Sequence, residues 1–306
     1  MSAAKRTDCH TRPRSVPPAK RPTRASEFHP SEGENPMSIR IDYHTHHERC
    51  GHAVGGLEDY VRQAIATGLH QIGLSDHMPL LHVKPHEYYP GMAMAMDELP
   101  RYVEEALALK EKYKGDIDIR VGMEGDYIEG YEEKIAELID AYPWDYVIGS
   151  VHFLGTWDIT DYRQTGGWEM RDPMAVYERY YDAVGKAARS GLYDYIGHID
   201  VIKRFGFRPQ DDVTRLEDAA LEAVREADLA IELNASGLRM PCAVMFPGPR
   251  MLKKACELGI PVTLGSDCHQ PERLEQYLPE ARMRLKEAGY GQLATFQSRK
   301  RLLIDF

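Results

Sequence analysis

Two histidines one residue apart, His44 and His46, close a short β-type run, Ile41-Asp42-Tyr43-His44-Thr45-His46. Side chains on a strand alternate faces, so these two imidazoles point the same way and stand together at the strand's end. Neutral imidazole is a good ligand for zinc and other transition metals. The pattern recurs near the other end of the chain. Asp267 and His269 are again two residues apart, in Gly265-Ser266-Asp267-Cys268-His269. That spacing turns Cys268 the other way, as a small buried thiol rather than a ligand.

Further residues of the same chemistry follow other β-like runs. His52 lies just beyond the first pair, His77 follows Ser75-Asp76, Glu124 ends a third run, and His152 and His198 end two more. These nine residues, His44, His46, His52, His77, Glu124, His152, His198, Asp267 and His269, come from six separate segments. They are too many for one tetrahedral ion, which takes about four ligands. Glu124 is a carboxylate among histidines, and a carboxylate can bridge two cations. Water held between bridged cations is acidified enough to act as a hydroxide nucleophile near neutral pH. Cations also neutralise the charge that develops on a phosphoryl group in an in-line displacement. The set therefore points to hydrolysis of a phosphate ester.

The elements that must position these residues alternate along the chain. Strands are expected over 39–43, 71–75, 117–123, 146–151, 193–197, 230–233 and 261–265. Helices are expected over 57–67, 97–113, 131–141, 173–189, 216–227, 249–257 and 272–288. Such alternation implies parallel strands joined by helical crossovers. The ligand-type residues fall at the C-terminal ends of the strands, where α/β barrels carry their active sites. The expected fold is a distorted barrel of about seven β/α units. An open doubly wound sheet is the alternative, but its Gly-rich phosphate fingerprint is missing after the first strand. The loops 79–96 and 155–172 are long for connections and are expected to act as lids that set substrate preference.

Bulk properties agree with an enzyme of small molecules. The 306 residues carry a net charge of −10 with no basic stripe in the body, which argues against nucleic acid as the main partner. There is no apolar run long enough for a membrane span. The five scattered cysteines suit reduced thiols in the cytoplasm. Residues 1–36 are rich in Pro, Arg, Lys and Ser and poor in large apolar residues, so they are expected to form a disordered tail. The folded domain is expected over 37–306, and Met37 is a candidate natural start.

Taken jointly, the motifs carry a resemblance. His44-Thr-His46…Cys50-Gly-His52, Ser75-Asp76-His77, Met123-Glu124-Gly125, Gly149-Ser150-Val151-His152, Gly197-His198-Ile199-Asp200, Glu232-Leu-Asn234-Ala-Ser-Gly-Leu238-Arg239 and Gly265-Ser-Asp267-Cys-His269 resemble the PHP (polymerase and histidinol phosphatase) superfamily, and within it the monofunctional histidinol-phosphatases. The resemblance implies a distorted (β/α)7 barrel with a trinuclear centre of zinc, manganese or iron. His44, His46, Glu124 and Asp267 would hold the first ion. Glu124, His152 and His198 would hold the second, and His52, His77 and His269 the third. Glu124 and Asp267 would be the catalytic carboxylates. The implied reaction is hydrolysis of L-histidinol phosphate to L-histidinol and phosphate in histidine biosynthesis. Asp200, Arg239 and Arg204 would meet the substrate, whose cationic amine calls for an acidic group in the pocket. His47, beside the first pair, would face away from the centre.

Three rivals are weighed against this reading. A related phosphoesterase acting on a nucleotide would share the same cage. A non-catalytic structural module of a polymerase is disfavoured, because no ligand position is degenerate. A binuclear amidohydrolase-type site would leave the third histidine set unexplained.

Overall fold

The computed structural model describes residues 39–83 and 91–306. The expected N-terminal tail and the middle of loop 79–96 lie outside the described residues. Seven strands run parallel in one sheet. They are β1 (Ile41–Asp42), β2 (Gln71–Leu74), β3 (Asp118–Asp126), β4 (Tyr146–Ser150), β7 (Tyr195–Ile196), β8 (Ala230–Asn234) and β9 (Val262–Gly265), in that spatial order. Each is followed by a helix: α1 (Leu57–Thr67), α2 (Leu99–Lys112), α3 (Glu132–Asp140), α4 (Pro173–Arg189), α5 (Thr214–Glu226), α6 (Pro249–Glu257) and α7 (Leu278–Ala288). Between β4 and α4 stands a small antiparallel hairpin, β5 (Phe153–Leu154) and β6 (Trp157–Asp158).

The sheet closes on itself. Tyr43 N–H donates to the Leu264 carbonyl at 2.8 Å, and His46 N–H to the Cys268 carbonyl at 3.0 Å. This joins the first strand to the last and gives the distorted (β/α)7 barrel. The short formal length of β1 reflects this irregular seam, since pairing resumes beyond His44 at Thr45, which bridges Cys268.

Tyrosines fill the barrel. Tyr43, Tyr146 and Tyr195 are fully buried. The Tyr146 and Tyr195 hydroxyls both donate to the Tyr43 carbonyl, at 2.8 and 3.0 Å. Gly73 makes room for them: a Cβ there would lie 2.0 Å from the Tyr146 hydroxyl oxygen. The N-terminal mouth is plugged by a second hairpin, β10 (Gln292–Gln297) and β11 (Lys300–Asp305), whose Phe296 packs on this tyrosine stack. The sequence reading missed this hairpin and began the last helix six residues early, at 272. Pro279 stands in the first turn of α7, where the missing N–H costs nothing, and the chain before it forms a single tight turn at Pro271–Arg273. Among the described residues no helix is long and apolar enough to cross a membrane.

Candidate metal centre

At the C-terminal ends of the strands all nine expected residues converge. Glu124, carried inward by β3, is at the middle. Its Oε2 lies 3.4 Å from His44 Nε2, 3.5 Å from His46 Nε2 and 2.9 Å from His77 Nδ1. Its Oε1 lies 2.9 Å from His198 Nε2 and 3.5 Å from His152 Nε2. Asp267 Oδ1 faces the first pair, 3.2 Å from His46 Nε2 and 4.0 Å from His44 Nε2. His52 and His269 form the outer part, with their Nε2 atoms 2.9 Å apart. The ring of His269 stacks on that of His46.

The buried imidazoles are aimed by carboxylates behind them. His44 Nδ1 lies 2.8 Å from Glu232 Oε1, His46 Nδ1 3.2 Å from Asp76 Oδ1, and His152 Nδ1 2.9 Å from Asp126 Oδ1. A carboxylate only accepts, so each Nδ1 carries a proton and each Nε2 is turned toward Glu124. This is how a protein orients imidazoles around a metal ion. Glu232 does more: its Oε2 accepts from His198 N–H at 2.9 Å and Asn234 Nδ2 at 3.0 Å. That bond fixes His198, whose φ of 21° is unusual for a side chain with a Cβ. Asp267 has φ 51°, and Arg239 holds its turn by donating to the Ser266 and Asp267 carbonyls at 2.8 and 3.0 Å.

Three buried atoms at the heart of the cluster, His44 Nε2, His46 Nε2 and Glu124 Oε2, have no hydrogen-bond partner among the described residues. Buried polar atoms are rarely left so, and here they face one another across distances a single cation would span. Groupings able to hold an ion include His44, His46 and Glu124; His77, Glu124 and His152; His44, His198 and Asp267; and His46, His77 and His269. The residues fit metal ions.

Titration behaviour fits as well. Burial pushes the imidazoles of His44, His46 and His152 down, but the surrounding carboxylates outweigh it. The principal ones are Glu232, Glu124 and Asp267 for His44, Asp267 and Asp76 for His46, and Asp126 and Glu124 for His152. His44 is held well above the usual range, His46 near 9 and His152 near 10. Burial pushes Glu124 and Asp267 up, yet facing imidazoles hold both well below the usual carboxylate range. In the metal-free protein, protons thus stand where cations would. In the outer part burial wins: His52 is lowered to about 4 and His269 falls well below its usual value.

Above the cluster opens a cavity of about 490 Å³. Arg204 and Arg239, two of the three residues expected to meet the substrate, line it. Arg239 Nη1 and Arg204 Nε are buried without a hydrogen-bond partner among the described residues. Asp200 does not join them. It is buried below the wall, where its Oδ2 accepts from Lys203 Nζ and from Gly248 N–H. Lys203, one turn of 3₁₀-helix further on, draws the carboxylate away from the cavity. His47 turns outward, with Nδ1 3.2 Å from the second oxygen of Asp76.

The PHP domain family matches residues 42–236. The probable histidinol-phosphatase of Deinococcus radiodurans is 38% identical over 264 residues, covering 86% of this chain and 99% of that protein. The chain belongs to the PHP family, on its histidinol-phosphatase branch. The histidinol-phosphatase of Bacillus subtilis is 33% identical over 252 residues, covering 75% of this chain and 93% of that protein. Among solved structures, the histidinol phosphate phosphatase of Lactococcus lactis, complexed with zinc, L-histidinol and phosphate, superposes with a TM-score of 0.74 at 27% identity. That match covers 86% of this chain and 98% of that chain. For a PHP barrel the residues the sequence reading did not single out are the supports Glu232, Asp126 and Asp76. Two of them had a readable signal, being part of period-two pairs on strands: Glu124 with Asp126, and Glu232 with Asn234.

Proposed function

We propose that this PHP protein hydrolyses L-histidinol phosphate to L-histidinol and phosphate, as a metal-dependent phosphatase of histidine biosynthesis. The observation that carries the reading is one cavity with two kinds of wall. Its floor is the cation-holding cluster around Glu124, and its side bears Arg204 and Arg239 with uncommitted N–H donors. Such a cavity suits a phosphoryl group lying on the cluster with guanidinium groups against its outer oxygens.

The reading calls for three ions, of zinc, manganese or iron. His44, His46, Glu124 and Asp267 would hold one. Glu124, His152 and His198 would hold a second, and His52, His77 and His269 a third. When bound, the cations lower the pKa of a coordinated water and take up charge from the phosphoryl oxygens. The chain's own residues do the remainder. Glu232, Asp76 and Asp126 keep the imidazole lone pairs aimed inward. Ser150 Oγ donates to Glu124 Oε1 at 2.6 Å and Ser236 Oγ to Asp267 Oδ2 at 3.1 Å, which fixes both carboxylates. Arg204 and Arg239 orient the phosphate for in-line attack. Four described cysteines are free thiols, which supports a reducing, cytoplasmic setting.

The test is phosphate release by the metal-loaded protein from L-histidinol phosphate, a nucleoside monophosphate, a nucleotide bisphosphate and p-nitrophenyl phosphate. A preference for L-histidinol phosphate by several orders of magnitude in kcat/KM is expected. Faster turnover of a nucleotide would overturn the substrate, and activity retained by Glu124→Gln would overturn the metal chemistry.

A further inference from the structure

One cavity-wall carboxylate has a committed oxygen and an uncommitted one. Asp158 ends β6, pairs with Phe153 across the small hairpin, and is 9% exposed. Its Oδ1 accepts from Thr160 N–H at 2.8 Å, Thr160 Oγ1 at 2.7 Å and Asp161 N–H at 3.1 Å. Its own N–H donates to Gln164 Oε1 at 3.2 Å. The next residue, Ile159, donates its N–H to the His152 carbonyl at 2.9 Å, so the hairpin is tied to the metal centre's frame. Among the described residues no donor reaches Asp158 Oδ2. Asp158 lines the cavity, so this second oxygen is left to accept a hydrogen bond from a ligand or from water.

The other carboxylates of the wall have other duties. Glu124 and Asp267 belong to the cluster. Both oxygens of Asp161 lie 2.9 Å from Arg163 Nε. Asp126 orients His152 through the ring and the backbone N–H. Asp158 makes no hydrogen bond to a cluster imidazole. The remaining charged wall residues include Arg204 and Arg239, which suit the phosphate end of a ligand. Asp158 is therefore the anionic point of the wall left for a cation.

We propose that Asp158 sets substrate specificity by accepting a hydrogen bond from the ammonium group of an aminoalkyl phosphate, which in L-histidinol phosphate sits two carbons from the ester oxygen. This deepens the phosphatase reading above and rests on it.

The experiment compares kcat/KM for L-histidinol phosphate and for its deamino analogue, 3-(imidazol-4-yl)propyl phosphate, in the wild-type holoenzyme and in Asp158→Asn. Asparagine keeps an oxygen for the three donors of the turn and replaces Oδ2 by an N–H2 that repels ammonium. The ratio of the two kcat/KM values is expected to fall about 10- to 100-fold in the variant, chiefly through KM, as a hydrogen bond to a charged group is lost. Bound zinc and Tm are measured alongside and are expected to stay at the wild-type level. Equal loss on both substrates would make Asp158 a support of His152 and overturn the proposal. So would an unchanged ratio. A wild-type enzyme that turns over both esters equally well overturns the role of Asp158 and leaves the phosphatase reading standing. A wild-type enzyme active on p-nitrophenyl phosphate but on neither imidazole ester overturns that reading, and the proposal with it.

Discussion

Replacing Glu232 by glutamine asks whether a carboxylate that lies behind the cluster controls metal binding. Glu232 is fully buried and receives three donors: His44 Nδ1–H on Oε1, and His198 N–H and Asn234 Nδ2–H on Oε2. Glutamine offers one oxygen. With that oxygen toward His44, the new N–H2 meets the two donors of His198 and Asn234. Each buried group left unsatisfied costs about 1–3 kcal/mol, so this arrangement costs roughly 2–6 kcal/mol. Turning Asn234 over is no escape, because its Oδ1 already accepts from Ser236 N–H at 2.9 Å. With the amide reversed, only His44 is mismatched, and it can adapt by moving its proton from Nδ1 to Nε2. That is the cheaper solution, and it points an N–H instead of a lone pair at Glu124. The expected outcome is a folded protein whose zinc affinity falls about 10- to 100-fold, the usual effect of losing such a support. Chelator-competition titration with zinc reads the affinity, and the dependence of phosphate release on free zinc should shift to higher concentration by the same factor. Wild-type affinity with wild-type activity in Glu232→Gln would refute the claim that the lone pair of His44 is set from behind.

Other perturbations have equally definite outcomes. In the metal-free protein the raised imidazoles contribute stability that is complete below about pH 6.5, their unfolded value. It is lost as pH rises through the folded values near 9 for His46 and 10 for His152. The lowered imidazoles of His47 and His52, near 4, act in the opposite sense, contributing above pH 6.5 and losing as pH falls toward 4. Tm of the metal-free protein should therefore peak near neutral pH and fall toward pH 10, whereas zinc, having displaced the protons, should remove the alkaline fall; calorimetry with and without chelator checks both. Arg204→Ala should lower kcat/KM for L-histidinol phosphate about 10- to 100-fold while leaving bound zinc unchanged, as expected for loss of a charge-assisted contact to phosphate. Gly265→Ala should prevent metal loading, because the new Cβ would lie 1.8 Å from Glu232 Oε1 and 2.6 Å from His44 Cβ; wild-type zinc content in that variant would show that the centre tolerates displacement of both.

What the sequence could disclose depended on whether a pattern was local. His44 with His46 and Asp267 with His269 are legible because a strand's period of two places both members on one face. The seven β/α units are legible because each strand is a short apolar run followed by a helix with a visible stop, such as Gly68 after α1, where φ is 73°. The closing hairpin was harder. β11 has mostly exposed or half-exposed residues, and its partner β10 buries four in a row, so neither shows clean alternation. Its place is fixed by long-range contacts: Ser298 and Arg299 donate their backbone N–H groups to Asp145, at 3.2 Å to the side chain and 2.9 Å to the carbonyl.

The same distinction separates Asp200 from Asp158. Asp200 follows His198, a proposed ligand, by two residues, so proximity along the chain recommended it. Proximity along the chain also gave it Lys203, one 3₁₀ turn away, and that pair buries the charge out of reach of the cavity. Asp158 lies six residues beyond His152 in a loop without periodicity, and nothing nearby in sequence marks it. The β5–β6 hairpin folds it back over the cluster, with Trp157 Nε1 donating to the Gln164 carbonyl at 3.1 Å to hold the loop shut. Residues that bind metal must sit at strand ends, where backbone geometry is regular and spacing is informative. Residues that choose among phosphate esters sit in the connections above, where position is decided by side-chain hydrogen bonds that only the folded chain displays. The proposed metal-binding floor of this barrel is therefore readable from one sequence, and the wall residue proposed to choose the substrate is not.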